Sequence, residues 1–131
     1  ELPIAFEKYA VEDVAVLTFN AKALTQRHFH NLLPSKTSWN QLQIIGLDPQ
    51  SHLRTVIEND ELTLNKELAE AEVIELLERH FRIKKPSCIV LECTNLPPYK
   101  AAIRAHFNIE VYDILSAIER RLPNSIQPEY L

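Results

Sequence analysis

The sequence predicts an α/β protein, a mostly parallel four-stranded sheet with helices on both faces in a three-layer arrangement. Three observations carry that reading. Short apolar, β-branched runs recur along the chain. Helix-like stretches separate them, which is the pattern of a parallel sheet with crossover helices. The strand runs are apolar at consecutive positions, as in strands buried on both faces.

The first strand spans residues 14–19, Val-Ala-Val-Leu-Thr-Phe. Asn20 follows as a helix N-cap, a role suited to a short polar side chain. Residues 21–33 read as a helix with Ala21, Leu24, His28 and Leu32 on one face, ended by Pro34 and Ser35. The second strand is 43–47, closed by the Asp48-Pro49 turn. Residues 51–59 form a short helix. Residues 62–82 read as the longest helix, with Ala71, Ile74, Leu77 and Phe81 facing the core and glutamates on its solvated face. After a turn at 84–87 comes the third strand, Cys88-Ile-Val-Leu, expected at the centre of the sheet. Pro97-Pro98 opens a helix running to about His106, since proline fits the first turn, where an N–H is not needed. The fourth strand is 109–112. Asp113 caps a last helix with Leu115, Ile118 and Leu122 on one face, stopped by Pro123. The domain reading is one lobe over residues 1–123 and a tail over 124–131.

Composition removes several function classes. The chain has 131 residues, 46% of them hydrophobic and 24% charged, which is globular in character and one domain in length. Its net charge of −4 argues against nucleic acid, whose phosphates need a basic field. No apolar run approaches the ~20 residues that span a bilayer. Gly46 is the only glycine, so neither a P-loop nor a G-x-G-x-x-G turn can be built. The two cysteines, Cys88 and Cys93, stand roughly 16 Å apart along extended chain, beyond the ~7 Å reach of a disulfide. Reduced thiols fit a cytoplasmic protein. Two cysteines and five scattered histidines show no metal-ligand spacing. The absence of any methionine, with Glu1 in first place, suggests a piece of a longer protein.

Ligands of open α/β sheets bind outside the carboxyl ends of the strands. Those ends offer Thr18 and Asn20 from the first strand, Glu92, Cys93, Thr94 and Asn95 from the third, and Asp113 from the fourth. Cys93 stands out, because a thiol beside a helix N-terminus can act as nucleophile or general base. Cys88 opens the same strand, at the wrong end for a site, and reads as core.

Residues 88–105, Cys-Ile-Val-Leu-Glu-Cys-Thr-Asn-Leu-Pro-Pro-Tyr-Lys-Ala-Ala-Ile-Arg-Ala, followed by Ile-Glu-Val-Tyr-Asp-Ile-Leu at 109–115, resemble the C-terminal lobe of aspartate/glutamate racemase-like proteins. Residues 14–25 resemble the segment that opens that lobe. The resemblance implies one lobe of a two-lobe fold. It implies an isomerase in which two thiols, one from each lobe, remove and return the α-proton of an amino acid without cofactor or metal. Cys93 matches the second-lobe thiol. Thr18, Asn20, Thr94 and Asn95 match substrate-holding positions. Glu92 stands where active relatives tend to keep glycine, and could serve as an added acid/base. The implied substrate is a small acidic amino acid or related carboxylate. The implied partner is a missing N-terminal lobe or a second protomer carrying the other thiol. A non-catalytic binding or regulatory module on the same fold is the alternative.

Overall fold

A computed structural model of the chain describes residues 1–33 and 36–131. Four strands, β1 (Val14–Thr18), β2 (Gln43–Gly46), β3 (Cys88–Leu91) and β4 (Glu110–Tyr112), form one sheet in the order β2-β1-β3-β4. Every neighbouring pair is parallel. Val16 stands beside Ile44 on one side and Val90 on the other, so β1 and β3 are the two inner strands and all their residues are buried. The predicted α/β class and its parallel four-stranded sheet are what the chain adopts.

Side chains alternate across each strand, giving the sheet two different faces. Ala15, Leu17, Ile89 and Leu91 point to a core formed with α2 (His52–Glu58), α3 (Lys66–Phe81) and α4 (Lys100–Phe107). Val14, Val16, Cys88 and Val90 point to a second cluster closed by α1 (Leu2–Phe6), Phe29 and Leu42. The last helix, α5 (Ile114–Arg121), is tied to the chain after α1 by an ion pair between Arg120 and Glu7.

α3 starts at Lys66 because Asn65 caps it, its Oδ1 accepting the Leu68 N–H at 3.0 Å. The helix is therefore shorter than residues 62–82, and Leu62 lies fully in solvent. Its core face is Ala69, Val73, Leu76, Leu77 and Phe81, while Ala71 is exposed. Of the stripe expected through Ala71, Ile74, Leu77 and Phe81, Leu77 and Phe81 face the core and Ile74 packs half-buried against it, while Ala69 rather than Ala71 reaches the sheet side. Phe81 meets Phe107 of α4 edge-on, ring centroids 4.8 Å apart.

Residues 21–33 are not the α-helix their pattern predicts. They form a turn, a 3-10 helix over Gln26–Phe29 and a further turn. The cause is local side-chain chemistry. Asn20 Oδ1 accepts the Lys22 N–H at 3.1 Å, closing a tight turn instead of capping a helix. His28 Nδ1 accepts the Thr25 N–H at 3.0 Å. Such side chains offer the backbone an alternative to helix bonds. The expected helix stop at Pro34 and Ser35 lies outside the described residues.

Gly46 finds its reason here. A Cβ on it would stand 2.7 Å from the Ala21 backbone nitrogen, so the turn after β1 packs directly on the end of β2. Glycine's other usual task, the left-handed backbone position, falls to Asp60, Asn108 and Asn124, with φ of 53°, 50° and 66°. Asn108 ends α4 in this conformation and turns the chain into β4.

α5 carries no buried residue. Ile118 and Leu122 of its expected apolar face are exposed, as is Ile114. The segment over 124–131 is pinned: the N–H groups of Asn124, Ser125 and Ile126 donate to the Glu119 carboxylate, and these donors hold its pKa below the usual carboxylate range. Arg104 reaches the Leu131 carbonyl at 2.8 Å. Among the described residues, no helix is long and apolar enough to cross a membrane.

Candidate functional site at the carboxyl edge of the sheet

The carboxyl edge is organised by the two inner strands. The Glu92 N–H donates to the Leu17 carbonyl at 2.9 Å, carrying the β1–β3 ladder one residue past the strand. The Leu47 N–H donates to the Thr18 carbonyl at 3.0 Å, doing the same for β1 and β2. Across this extended ladder the Thr18 hydroxyl donates to Glu92 Oε2 at 2.7 Å. Thr18 is buried and Glu92 exposed. The pair therefore joins a fixed hydroxyl to a carboxylate that still faces solvent.

Strand alternation sends Cys93 the other way. Its thiol is free, half-buried, and packed against the core shared with α2, α3 and α4. Thr94 and Asn95 follow it in an exposed turn closed by the Leu96 N–H donating to the Cys93 carbonyl at 3.0 Å. The 3-10 turn Pro97–Tyr99 then leads into α4. Pro97 and Pro98 have no N–H to offer, and that of Tyr99 donates to Leu96. The amides nearest Cys93 that remain for an anion are thus those of Thr94 and Asn95, rather than those of the helix itself. Asn20 lies beyond the end of β1, its Oδ1 engaged in the turn described above.

The edge thus brings Thr18 and Glu92 into contact on one face and sets Cys93, Thr94 and Asn95 in one turn on the other. Cys88 lies at the opposite end of β3, with no exposed surface. Burial, reinforced by the Glu110 carboxylate, pushes its thiol up to about 12. It remains a protonated core residue at neutral pH.

Two features of the edge carry weight that sequence reasoning did not assign. One is Arg54 of α2. Its guanidinium lies 4.9 Å from the centre of the Phe19 ring and donates to the Leu47 carbonyl at 3.2 Å. This places a fixed cation at the ends of β1 and β2. The Glu58 partner one turn later, at 2.9 Å, was its only sequence signal.

The other is a buried polar knot. Lys100 Nζ donates to Asp113 Oδ1 at 3.2 Å and to Ser116 Oγ at 2.7 Å. Ser116 in turn donates to Asp113 Oδ1 through both its hydroxyl and its N–H, each at 2.8 Å. The knot ties the start of α4 to the start of α5, fixing the far end of the turn that carries Cys93. Asp113 is the helix cap its position predicts, but its burial and its lysine partner come only from the fold. Its Oδ2 is buried without a partner among the described residues.

His52 Nε2 accepts the Asn65 N–H at 2.9 Å, and His106 pairs with Glu78 at 2.8 Å. Among the described residues, no three His, Cys, Asp or Glu side chains converge as a metal site would require.

No family model matches the chain, and neither a curated protein nor a solved structure does.

Proposed function

We propose that the chain is the C-terminal lobe of a cofactor-independent aspartate/glutamate racemase-like isomerase, with Cys93 as one of two proton-transfer thiols. One observation carries this reading: a free, half-buried thiol stands just past the carboxyl end of an inner parallel strand, at the start of an exposed polar turn. Ligands of such sheets collect there. In the proposed reaction the Cys93 thiolate takes the α-proton of a small acidic amino acid, or its thiol returns one to the opposite face. The amides and side chains of Thr94 and Asn95 hold the substrate carboxylate, and Thr18 and Asn20 line the adjoining strand end. Glu92, which the Thr18 hydroxyl holds towards the face opposite Cys93, takes no part in the proton transfer. The second thiol comes from an N-terminal lobe or a second protomer, because Cys88 is buried at the wrong end of the same strand.

Proton exchange tests the proposal. An assembly supplying the second thiol, incubated in D2O with aspartate or glutamate, is expected to exchange the Cα proton. Cys93→Ser should lower the rate at least ~100-fold, the scale of a lost general base. The chain as a monomer should not exchange. Exchange that survives Cys93→Ser, or no exchange on any acidic amino acid, overturns the reading. The second of these results favours the alternative, a binding or regulatory module, which is supported by there being one accessible thiol and by the side chain of Glu92 where active relatives tend to have none.

A further inference from the structure

A cavity of about 270 Å³ opens on the sheet face opposite Cys93, and the thiol chemistry does not use it. Its floor is Val16 and Val90, which stand beside each other across β1 and β3. Glu1 and Leu2 line it as well, and Leu24, Phe29 and Leu32 wall it. These walls come from the segment that forms turns and a 3-10 helix where the pattern predicts an α-helix. The space exists because turns cover this face less fully than a helix would.

One end of the cavity is anionic. Glu92 lines it, and the Thr18 hydroxyl fixes one carboxylate oxygen at 2.7 Å. No other side-chain hydrogen bond to Glu92 is formed among the described residues, nor does any cation there pair with it. His28 also lines the cavity. Its Nδ1 accepts the Thr25 N–H at 3.0 Å. The cavity is thus an apolar chamber whose acidic lining is Glu1 and the pre-oriented carboxylate of Glu92.

We propose that this cavity binds a primary organic ammonium with an apolar body, of the arylalkyl- or alkylammonium class. Size supports this class, since a dry apolar cavity of ~150 Å³ already holds a benzene ring. A space of about 270 Å³ takes a ring and a short chain. Charge supports it as well. An ammonium donating to Glu92 gains a charge-assisted hydrogen bond without stripping a buried charge, because Glu92 is already exposed. A carboxylate ligand would meet Glu92 with like charge on a chain of net charge −4. The apolar body covers Val16, Val90 and Phe29, the usual division of labour in small-molecule sites. Cys93 belongs to the other face, so the inference stands independently of racemisation.

Methyl-resolved NMR titration with 2-phenylethylammonium, beside the anion 3-phenylpropionate on the same phenylethyl body, tests it. Expected are saturable shifts of the Val16, Leu24, Leu32 and Val90 methyls with the ammonium, and binding of the anion at least roughly tenfold weaker. Glu92→Gln keeps the size and the Thr18 contact but removes the charge. It should weaken the ammonium roughly tenfold or more. Leu32→Trp, at a partly exposed wall, should fill the chamber and abolish binding while leaving the circular dichroism spectrum unchanged. The proposal fails if no methyl shift saturates up to roughly 10 mM ammonium. It also fails if the two probes bind alike, or if either variant binds as well as the wild type.

Discussion

On one face of the sheet, α2, α3 and α4 lay regular turns of helix over Ala15, Leu17, Ile89 and Leu91, and the core there is continuous. On the other, a five-residue helix, 3-10 turns and loops cover Val14, Val16, Cys88 and Val90, and an open cavity remains. The same strands supply both floors, so the difference comes from what lies above them. A regular helix presents a side chain to the sheet at every turn and fills the layer. A segment whose side chains bond its own backbone presents fewer, and leaves room. Stability should therefore concentrate on the first face and ligand space on the second.

Truncating one side chain on each face tests this division most sharply. Leu77 is fully buried in α3. Leu77→Ala should cost ~2–5 kcal/mol, because it loses transfer energy and opens a new void. Leu24→Ala enlarges a space that already exists, so its cost should stay near ~1 kcal/mol. Urea unfolding of both variants reads the contrast. Equal losses would mean that the two layers share the stability evenly.

The same division decides what could be read from the sequence. Strands β1 and β3 were legible because consecutive apolar, β-branched residues leave few alternatives. α3 was legible as a helix, and so were Leu77 and Phe81 of its buried face, but the choice of alanine was not. Ala71 and Ala69 are chemically equal, and only contact with the sheet separates them. Residues 21–33 misled because Leu24, His28 and Leu32 carry a helical spacing while Asn20 and Thr25 carry turn chemistry, and the turn chemistry prevails. At the site, Cys93, Thr94 and Asn95 were legible from the end of an apolar run. The Thr18–Glu92 contact was not, since it joins residues 74 positions apart through the β1–β3 register. Nor was the Lys100–Asp113 knot, as a lysine seldom reads as buried.

The seam between the layers should answer to a smaller change. Gly46→Ala puts a Cβ 2.7 Å from the Ala21 nitrogen and 3.0 Å from its Cβ. The lost backbone freedom of the unfolded chain gives back a few tenths of a kcal/mol, but the clash is with a turn's backbone and cannot be relieved by a rotamer. A net loss of about 1–2 kcal/mol is expected. Hydrogen exchange should quicken over residues 21–29 on the thinly covered face and leave α3 unchanged. Faster exchange in α3 instead would show that Gly46 supports the helical layer.

The mildest test compares the two cysteines, five residues apart at opposite ends of β3. In the folded protein an alkylating reagent should modify Cys93 and spare Cys88 until urea unfolds the chain, because Cys88 has no exposed surface. The buried thiol also leaves a signature in pH. Its folded pKa is raised to about 12 from an ordinary 9.0, so the folded state holds the proton longer than the unfolded one. Below pH 9 both states are protonated and the full stability is present. As pH climbs from 9 towards 12 the unfolded chain ionises first, and stability falls. Tyr112, pushed up to about 12 by burial and its hydrogen bond to Glu110, adds to the same decline. The difference between wild type and Cys88→Ala therefore isolates the thiol: the variant's urea midpoint should fall less steeply over that window. Parallel slopes would mean that Cys88 is already ionised or solvated in the fold, and that the second face is more open than its short helices and turns leave it here.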